Sequence, residues 1–353
     1  MFKLIKNIFI YSVVTLLISC SSGDTKVKVK IDRWEDGLII PPNLTEEIGT
    51  NVQGPSLIKV PEWAENRLGD YYLYFADHKG DHIRLAFSDD LKGPWKIKPG
   101  GSLRLADSHF LTAVPETPED FNVDELEERT SHPDLTPFIV KSIDDLNVPH
   151  IASPDVHVDE ESQKIIMYFH GLDEFGSQKT RVATSLDGIN FITKEKIVGW
   201  PYFRKFTYQG DDYALSMPGV IYKNIGDIED YIPVNQVMED NVRHSAVLVK
   251  GEDLLIFFSR VGDKPERIML STIDLSKPSI LWKTTKPIEV LRPEEDWEGG
   301  NLPLYPSIRS AINTEVNQLR DPAIFQEGNN IYLLYSVRGE NGIAIADLKI
   351  IDQ

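Results

Sequence analysis

Two aspartates and one histidine stand where acid–base chemistry could take place. Asp155 follows a proline in "SPDV", Asp321 precedes a proline in "RDPAIF", and His244 lies in "NVRHSAVLV". Each stands at the start of a short stretch rich in Val, Ile and Phe, which predicts a β-strand start. Carboxylates and an imidazole that meet in one pocket can activate water and protonate a leaving oxygen. These three residues are therefore candidate catalytic groups, with Glu298 of "DWEGG" as a further acid. The alternatives are a turn cap for the aspartates, a hydrogen bond to neighbouring backbone for His244 and a solvent-exposed loop position for Glu298.

Three further histidines could contact a ligand near these groups. His157 comes two residues after Asp155, so both side chains are expected on the same face of one strand. There it could orient a hydroxyl or a water molecule, or simply fill space. His78 and His170 each end an apolar strand in corresponding repeats, which predicts contacts at the rim of the same site.

Arginines recur at strand starts and strand ends, although the chain as a whole is acidic. Guanidinium groups bind carboxylate or sulfate with two parallel hydrogen bonds, so a cluster of them would suit an acidic ligand. The alternative is a set of solvated surface ion pairs. The recurrent arginines are Arg204, Arg243, Arg260, Arg320 and Arg338.

The elements that must position these residues repeat along the chain. Each repeat combines a turn marked by Asp, Pro or His with several short strands rich in aromatic and β-branched residues. The five copies begin at Gly54, Ser153, Pro201, Arg243 and Arg320. Repeats of this size built only from strands predict an all-β, five-bladed β-propeller. A pair of β-sandwiches is the alternative.

The repeats also carry a family resemblance over roughly residues 51–348. "SPDV", "RDPAIF" and "YYLYFADHKGDHIRLAFSDDLKGPW" resemble the strand motifs of five-bladed propeller glycosidases such as families 43 and 117. The resemblance implies acidic residues that converge at the starts of the innermost strands. It places Asp155 at the position of the family-43 aspartate that tunes a pKa, and Gly54 where the base aspartate is expected. A family-43 acid motif is not evident in the third copy, and His244 is similar in placement to the histidine acid of family 117.

The resemblance implies a glycoside hydrolase that acts on a plant or algal polysaccharide fragment, and the arginines would suit an acidic or sulfated one. Trp200 and Tyr202 could stack on sugar rings, or pack in the core. No cofactor is required, although a calcium ion in the tunnel is compatible with the resemblance. A glycan-binding protein without catalysis is the main alternative, since Gly54 replaces the expected aspartate. A purely structural protein of the cell envelope is a third.

The N-terminal sequence predicts the cellular location of the protein, and the net charge bears on its class of partner. Residues 1–19 have two lysines and then an apolar run, as in a secretory signal peptide. Cys20, the single cysteine, falls where a bacterial lipobox is lipidated. We therefore expect a protein of the bacterial cell envelope, at the outer membrane or the periplasmic face, that contacts the membrane through a lipid anchor only. A plain membrane anchor with an incidental cysteine is the alternative. Residues 20–50 then form a tether and N-terminal segment, and residues 51–353 form the propeller. The net charge of −18 argues against nucleic acid as a partner.

Overall fold

The computed structural model describes residue 25, residues 27–122 and residues 143–351. The predicted signal peptide and Cys20 therefore lie outside the described residues. Five antiparallel sheets of four or five strands account for almost all of the regular structure. Within the described ranges, the helices are too short to span a membrane.

The strands follow one another blade by blade along the chain, after β1 (Lys28–Ile40). Blade 1 contains β2 (Gln53–Lys59), β3 (Tyr71–Ala76), β4 (His82–Ser88), β5 (Lys96–Ile97) and β6 (Leu103–Arg104). The short helix α1 (Asp144–Asn147) precedes blade 2, which contains β7 (Ile151–Asp159), β8 (Lys164–Glu174), β9 (Ser177–Ser185) and β10 (Ile192–Thr193). Blade 3 contains β11 (Arg204–Tyr208), β12 (Asp211–Ser216), β13 (Val220–Asn224) and β14 (Tyr231–Gln236).

The last two blades complete the ring. Blade 4 contains β15 (Val242–Lys250), β16 (Asp253–Arg260), β17 (Ile268–Asp274) and β18 (Ile288–Leu291). Blade 5 contains β19 (Arg320–Glu327), β20 (Asn330–Ser336) and β21 (Ile343–Ile351). Single turns of 3-10 helix occur at Glu46–Ile48, Leu105–Asp107, Ser279–Leu281 and Asp296–Glu298. The first strands of neighbouring blades contact one another around the axis, as β2 does with both β7 and β19.

The hydrophobic core is divided among the interfaces between blades. Tyr72 of blade 1 and Met167 of blade 2 belong to one buried cluster, and Phe75 of blade 1 and Leu334 of blade 5 belong to another. Three further clusters fill the remaining interfaces. Because blade 5 packs against blade 1 in the same way as the other neighbours, the five sheets form a closed ring. The prediction of a five-bladed β-propeller is confirmed.

An N-terminal strand closes this ring. β1 pairs antiparallel with β21, from Lys28 opposite Ile351 to Ile40 opposite Ile343, and so becomes the outermost strand of blade 5. Val29 and Ile31 pack against the cluster between blades 4 and 5. The propeller therefore begins at residue 28, ahead of the predicted boundary at residue 51, because blade 5 takes strands from both ends of the chain.

Candidate active site

The innermost strands share an irregular start. Each innermost strand contains a β-bulge relative to the second strand of its blade. One extra residue therefore has no partner in that second strand, at the same position in every blade. In four blades this residue has a left-handed backbone, with φ of 66° at Gly54, 49° at Ser153, 58° at Tyr202 and 48° at Asp321. Left-handed conformations are uncommon for residues other than glycine, and such strain concentrates at functional sites. The five residues at the bulge position are Gly54, Ser153, Tyr202, Arg243 and Asp321.

Asp321 and His244 form a direct contact at this end of the propeller. Nδ1 of His244 lies against Oδ1 of Asp321, and each residue is only 1 % exposed. The second carboxylate oxygen of Asp321, Oδ2, accepts a hydrogen bond of 3.0 Å from the Ser336 hydroxyl. Two of the predicted catalytic residues are therefore brought together, from blades 4 and 5.

Burial and charge determine the proton positions in this pair. Burial lowers the pKa of His244, and the charge of Asp321 offsets this only in part. Burial alone would raise the pKa of Asp321, but His244 and Arg243 outweigh it and the pKa is lowered. At neutral pH we therefore expect an ionised Asp321 that accepts the Nδ1 hydrogen of a neutral His244. The unprotonated Nε2 is then the nitrogen that can take up a proton.

A stack of aromatic rings extends from His244 towards blade 2. The ring of Tyr202 lies between His244 and His170, with centroid distances of 4.3 and 4.4 Å. Burial lowers the pKa of His170 well below its ordinary value, and its buried Nδ1 has no hydrogen-bond partner among the described residues. Burial and the charge of Asp321 raise the pKa of Tyr202. The predicted ligand contacts Tyr202 and His170 thus form an uncharged wall beside the Asp321–His244 pair.

Two carboxylates and two arginines form a buried network beside the same pair. Arg320 Nε lies 3.0 Å from Glu266, and its Nη1 lies 2.7 Å from Glu340. Arg243 lies 3.6 Å from Glu266 and 3.9 Å from Glu340. His78 Nδ1 lies 3.1 Å from Glu340, which places this predicted rim residue inside the network. Burial would raise the pKa of Glu340, but His78, Arg320 and Arg243 lower it well below its ordinary value.

Sequence reasoning missed Glu266 and Glu340, although a signal is present. Both follow the second strand of their blade, in "SRVGDKPE" and "SVRGE", at the turn towards the third strand. Because an acidic residue recurs in the corresponding turn of two consecutive blades, these two glutamates could have been predicted to lie close together.

Asp155 lies elsewhere, in the axial channel. It occupies the position of Ala323 in blade 5, two residues after the position of Asp321. Its Oδ2 accepts hydrogen bonds from His157 Nε2 at 2.7 Å and from the Lys205 backbone amide of blade 3 at 2.8 Å. Burial would raise the pKa of Asp155, but His157 and Arg204 outweigh it and the pKa is lowered.

Neighbouring side chains at this level join the blades in the same way. Ser56 of blade 1 accepts a hydrogen bond from the Val156 amide of blade 2 at 2.9 Å. Arg204 of blade 3 donates to the Pro154 and Ser245 carbonyls of blades 2 and 4, each at 2.9 Å. Asp155, His157 and Arg204 therefore form part of a belt of contacts between innermost strands, around a cavity of about 320 Å³.

Glu298 has structural partners at the outer side of blade 5. Its carboxylate accepts hydrogen bonds from Arg33 Nε of β1 and from the Tyr335 hydroxyl, both at 2.9 Å. It also caps the short helix Asp296–Glu298 through backbone amides. Glu298 is fully buried there, and its contact with Arg33 holds the N-terminal strand against blade 5.

The predicted arginine cluster is distributed over separate ion pairs. Arg260 pairs with Asp263 at 3.1 Å, and Arg338 pairs with Glu315 at 2.8 Å. Arg204 belongs to the belt, whereas Arg243 and Arg320 belong to the buried network. The structure therefore does not assemble the five arginines into one basic pocket. Trp200 is 49 % exposed two residues before Tyr202, with the Lys179 ammonium 3.9 Å from its ring centroid.

A calcium ion in the channel was compatible with the family resemblance. Within residues 27–122 and 143–351, no group of three or more His, Cys, Asp or Glu side chains is placed to hold a metal ion.

Sequence comparison identifies a relative of similar length. Uncharacterized protein R118 of Acanthamoeba polyphaga mimivirus is 31% identical over 332 residues, which cover 86% of this chain and 85% of the relative. No model of a known protein family matches the chain.

Solved structures share the fold at low sequence identity. A thermostable family-43 glycoside hydrolase matches with a TM-score of 0.50 at 14% identity, over 88% of this chain and 91% of the other. An exo-beta-1,3-galactanase from Phanerochaete chrysosporium, solved with galactose, matches with a TM-score of 0.53 at 11% identity, over 92% and 65%. An endo-1,4-beta-xylanase from Bacteroides thetaiotaomicron matches with a TM-score of 0.51 at 14% identity, over 87% and 97%. At these identities the likeness concerns the propeller fold.

Proposed function

This chain belongs to the protein family that contains R118 of Acanthamoeba polyphaga mimivirus, and we propose that it is a glycoside hydrolase. The observation that carries the proposal is the buried contact between Asp321 and His244, at the bulged starts of two innermost strands. Fold similarity to family-43 hydrolases, a galactanase and a xylanase supports it. Fold alone does not define function, so the argument depends on the pair.

The proposed mechanism uses His244 as the group that transfers protons. Hydrolysis breaks the bond between the anomeric carbon and the glycosidic oxygen, while water supplies a hydroxyl to the carbon and a proton to the oxygen. Nε2 of His244 takes the proton from the attacking water and passes it to the leaving oxygen. Asp321 holds Nδ1 and stabilises the imidazolium that forms in between, as the carboxylate does in other His–Asp pairs.

The proposed substrate is a plant or algal polysaccharide fragment, bound where the bulge residues surround the axis. The buried, uncharged rings of Tyr202 and His170 beside the pair support an uncharged ligand such as a neutral sugar. Trp200 lies two residues before Tyr202 in the sequence and is exposed, so it could contact a further sugar unit. An acidic or sulfated fragment, which the arginine pattern predicts, would need contacts other than these five arginines.

A glycan-binding protein without catalysis is the second candidate. It is favoured by Gly54, because a Cβ atom added there would lie 3.2 Å from both Cα and Oγ of Ser153. Blade 1 therefore has no carboxylate at the bulge position, and a side chain there would require Ser153 to shift slightly. The belt contacts of Asp155 also favour a binding protein, because its carboxylate is already hydrogen-bonded to His157 and to the Lys205 amide.

One assay separates the two candidates. The full-length chain is incubated with a library of neutral and acidic oligosaccharides, and new reducing ends are measured with mass spectrometry of the products. Hydrolysis by the wild type that is lost in the His244→Gln variant would support the enzyme. Binding by calorimetry with no new reducing ends would contradict it and favour the binding protein.

We also propose that the chain is exported to a cell envelope and lipidated at Cys20. The support is the leader sequence and the position of the single cysteine. Incorporation of a labelled fatty acid, lost in the Cys20→Ala variant, tests the anchor. A wild-type chain that is not labelled in a bacterial host would contradict it.

A further inference from the structure

Glu340 lies where blade 5 meets blade 1, in the turn between β20 and β21. Its backbone carbonyl accepts a hydrogen bond of 2.7 Å from the Val52 amide at the start of blade 1. Its neighbour Asn341 forms an isolated parallel bridge with the same Val52. The turn that carries Glu340 is therefore a second closure of the ring, in addition to the pairing of β1 with β21.

The carboxylate of Glu340 joins five different parts of the fold. Oε1 receives Arg320 Nη1 at 2.7 Å and His78 Nδ1 at 3.1 Å. Oε2 receives Asn51 Nδ2 at 2.9 Å and the Ile312 amide at 3.3 Å. Arg243 Nη2 lies 3.9 Å from Oε1. A fully buried carboxylate with this many charged and polar partners restricts all of them to one arrangement.

Two of these partners directly precede the proposed catalytic pair in the chain. Arg320 is followed by Asp321, and Arg243 is followed by His244. Both arginines are also held by Glu266, and Arg243 donates further to the Ser310 carbonyl at 3.3 Å. Their side chains are therefore fixed at the guanidinium end as well as at the backbone.

We propose that Glu340 is a positioning residue, which sets the geometry and the charge environment of the Asp321–His244 pair by holding Arg320 and Arg243. The inference rests on the proposed function, because the pair is the proposed proton-transfer unit. Strained backbone persists only where the surroundings over-determine it. The left-handed residue Asp321, with φ of 48°, immediately follows one of the two arginines that Glu340 fixes.

The charges around the Asp321–His244 pair also support a positioning role for Glu340. The titratable groups in and around Glu340 and the pair include three carboxylates, two guanidiniums, three imidazoles and a phenol, namely Asp321, Glu266, Glu340, Arg243, Arg320, His78, His170, His244 and Tyr202. The negative charge of Glu340 raises the pKa of Asp321, and its removal leaves two arginines facing one remaining carboxylate, Glu266, beside the pair. Both members of the pair then lose their protons more readily.

A purely structural role for Glu340 predicts a different outcome, and Glu298 provides the matched control. Glu298 is equally buried, pairs with the arginine Arg33 at 2.9 Å and lies beside the same blade. It has no contact with the Asp321–His244 pair among the described residues. Loss of either carboxylate should lower the melting temperature, whereas only loss of Glu340 should alter the chemistry.

The experiment compares Glu340→Gln and Glu298→Gln in the full chain. Thermal unfolding, kcat and KM are measured on the oligosaccharide that the wild type cleaves. The titration of the His244 ring is followed by NMR and assigned with the His244→Gln variant. For Glu340→Gln we expect kcat to fall by about a hundredfold with KM little changed, since small misplacements cost about this much. We also expect the pKa of His244 to fall, while Glu298→Gln changes neither.

Each outcome bears on one of the two claims. Wild-type kcat and an unshifted His244 titration in Glu340→Gln would overturn the inference, as would equal shifts in Glu298→Gln. The NMR titration needs no substrate, so it decides the inference even if no glycan is cleaved and the proposed function fails. Glu340→Asp keeps the charge with a shorter reach, and it should retain the pKa of His244 while kcat stays low. This variant also tests the inference if Glu340→Gln does not fold.

Discussion

Asp155 and Asp321 lie two positions apart in the register of their blades, although both adjoin a proline at the start of an innermost strand. Asp321 precedes its proline and belongs to the bulge, where its carboxylate contacts His244. Asp155 follows its proline, and its carboxylate accepts the Lys205 amide of the next blade. An aspartate beside a proline thus belongs to the proposed active site in blade 5, where it precedes the proline, and to the belt between blades in blade 2, where it follows the proline.

Loss of the Asp155 charge should therefore affect stability more than catalysis. In Asp155→Asn the ion pair with His157 is lost, and one inter-blade acceptor is weakened. We expect the free energy of unfolding to fall by about 1–3 kcal/mol. Chemical denaturation measures this, and kcat on a cleaved oligosaccharide should stay within about twofold because the belt makes no contact with the reacting atoms. A large fall in kcat without loss of stability would return Asp155 to the active site.

The close approach of Gly54 and Ser153 leads to a second prediction. Gly54 has a φ of 66°, and an added Cβ would lie 3.2 Å from Ser153 Oγ. We expect Gly54→Ala to lower the free energy of unfolding by about 1 kcal/mol or more, through backbone strain and the new contact. Adding Ser153→Gly should recover part of this loss, since it removes Oγ and Cβ, two of the three atoms that the new methyl group meets. Additive losses in a double-mutant cycle would show that the two positions are not coupled.

The repeats were sufficient to predict the number of blades and the starts of their innermost strands. Short strands rich in aromatic and β-branched residues, bounded by turn residues, recur in every copy, and burial between blades requires them locally. The role of β1 was not predicted, because its partner β21 lies at the other end of the chain. The alternation of Val29 and Ile31 with charged residues indicates a strand there, but no local feature identifies the blade that it completes.

Asp321 and His244 were predicted from their places at strand starts, and Tyr202 as a ring that could stack on a sugar; the structure brings the three together. Glu266 and Glu340 were not, because their proximity depends on turns from two blades that only the closed ring places side by side. Glu298 shows the opposite limit. Its place in "DWEGG" predicted a further catalytic acid, whereas the arginine that it pairs with, Arg33, is remote in sequence.

Buried neutral histidines predict a loss of stability in mild acid. Burial, with a contribution from Lys79, lowers the pKa of His150 to about 3, against about 6.5 in an unfolded chain. Below pH 6.5 the unfolded state therefore binds a proton that the folded state does not. This contribution to stability is complete above about pH 6.5 and is lost as the pH falls towards 3, with a slope of about 1.4 kcal/mol per pH unit for one such group.

Urea denaturation between pH 7.5 and 4.5 measures this dependence. His150→Asn keeps a donor for the Val148 carbonyl, which accepts from Nδ1 at 2.7 Å, but it cannot titrate. Its stability should depend less on pH than that of the wild type. His109→Asn is the control, because His109 is exposed and has a left-handed backbone that asparagine tolerates. Equal pH dependence in wild type and His150→Asn would contradict the prediction.

The central claim is that Asp321 and His244 act together in glycoside hydrolysis, and Asp321→Asn tests it most directly. The amide keeps the shape of the side chain but cannot stabilise an imidazolium at His244. The measurement is kcat for reducing-end release from the oligosaccharide that the wild type cleaves, with Asp155→Asn as the matched aspartate variant. We predict a loss of about a thousandfold or more for Asp321→Asn and near wild-type turnover for Asp155→Asn. Undiminished turnover in a folded Asp321→Asn protein would contradict the account.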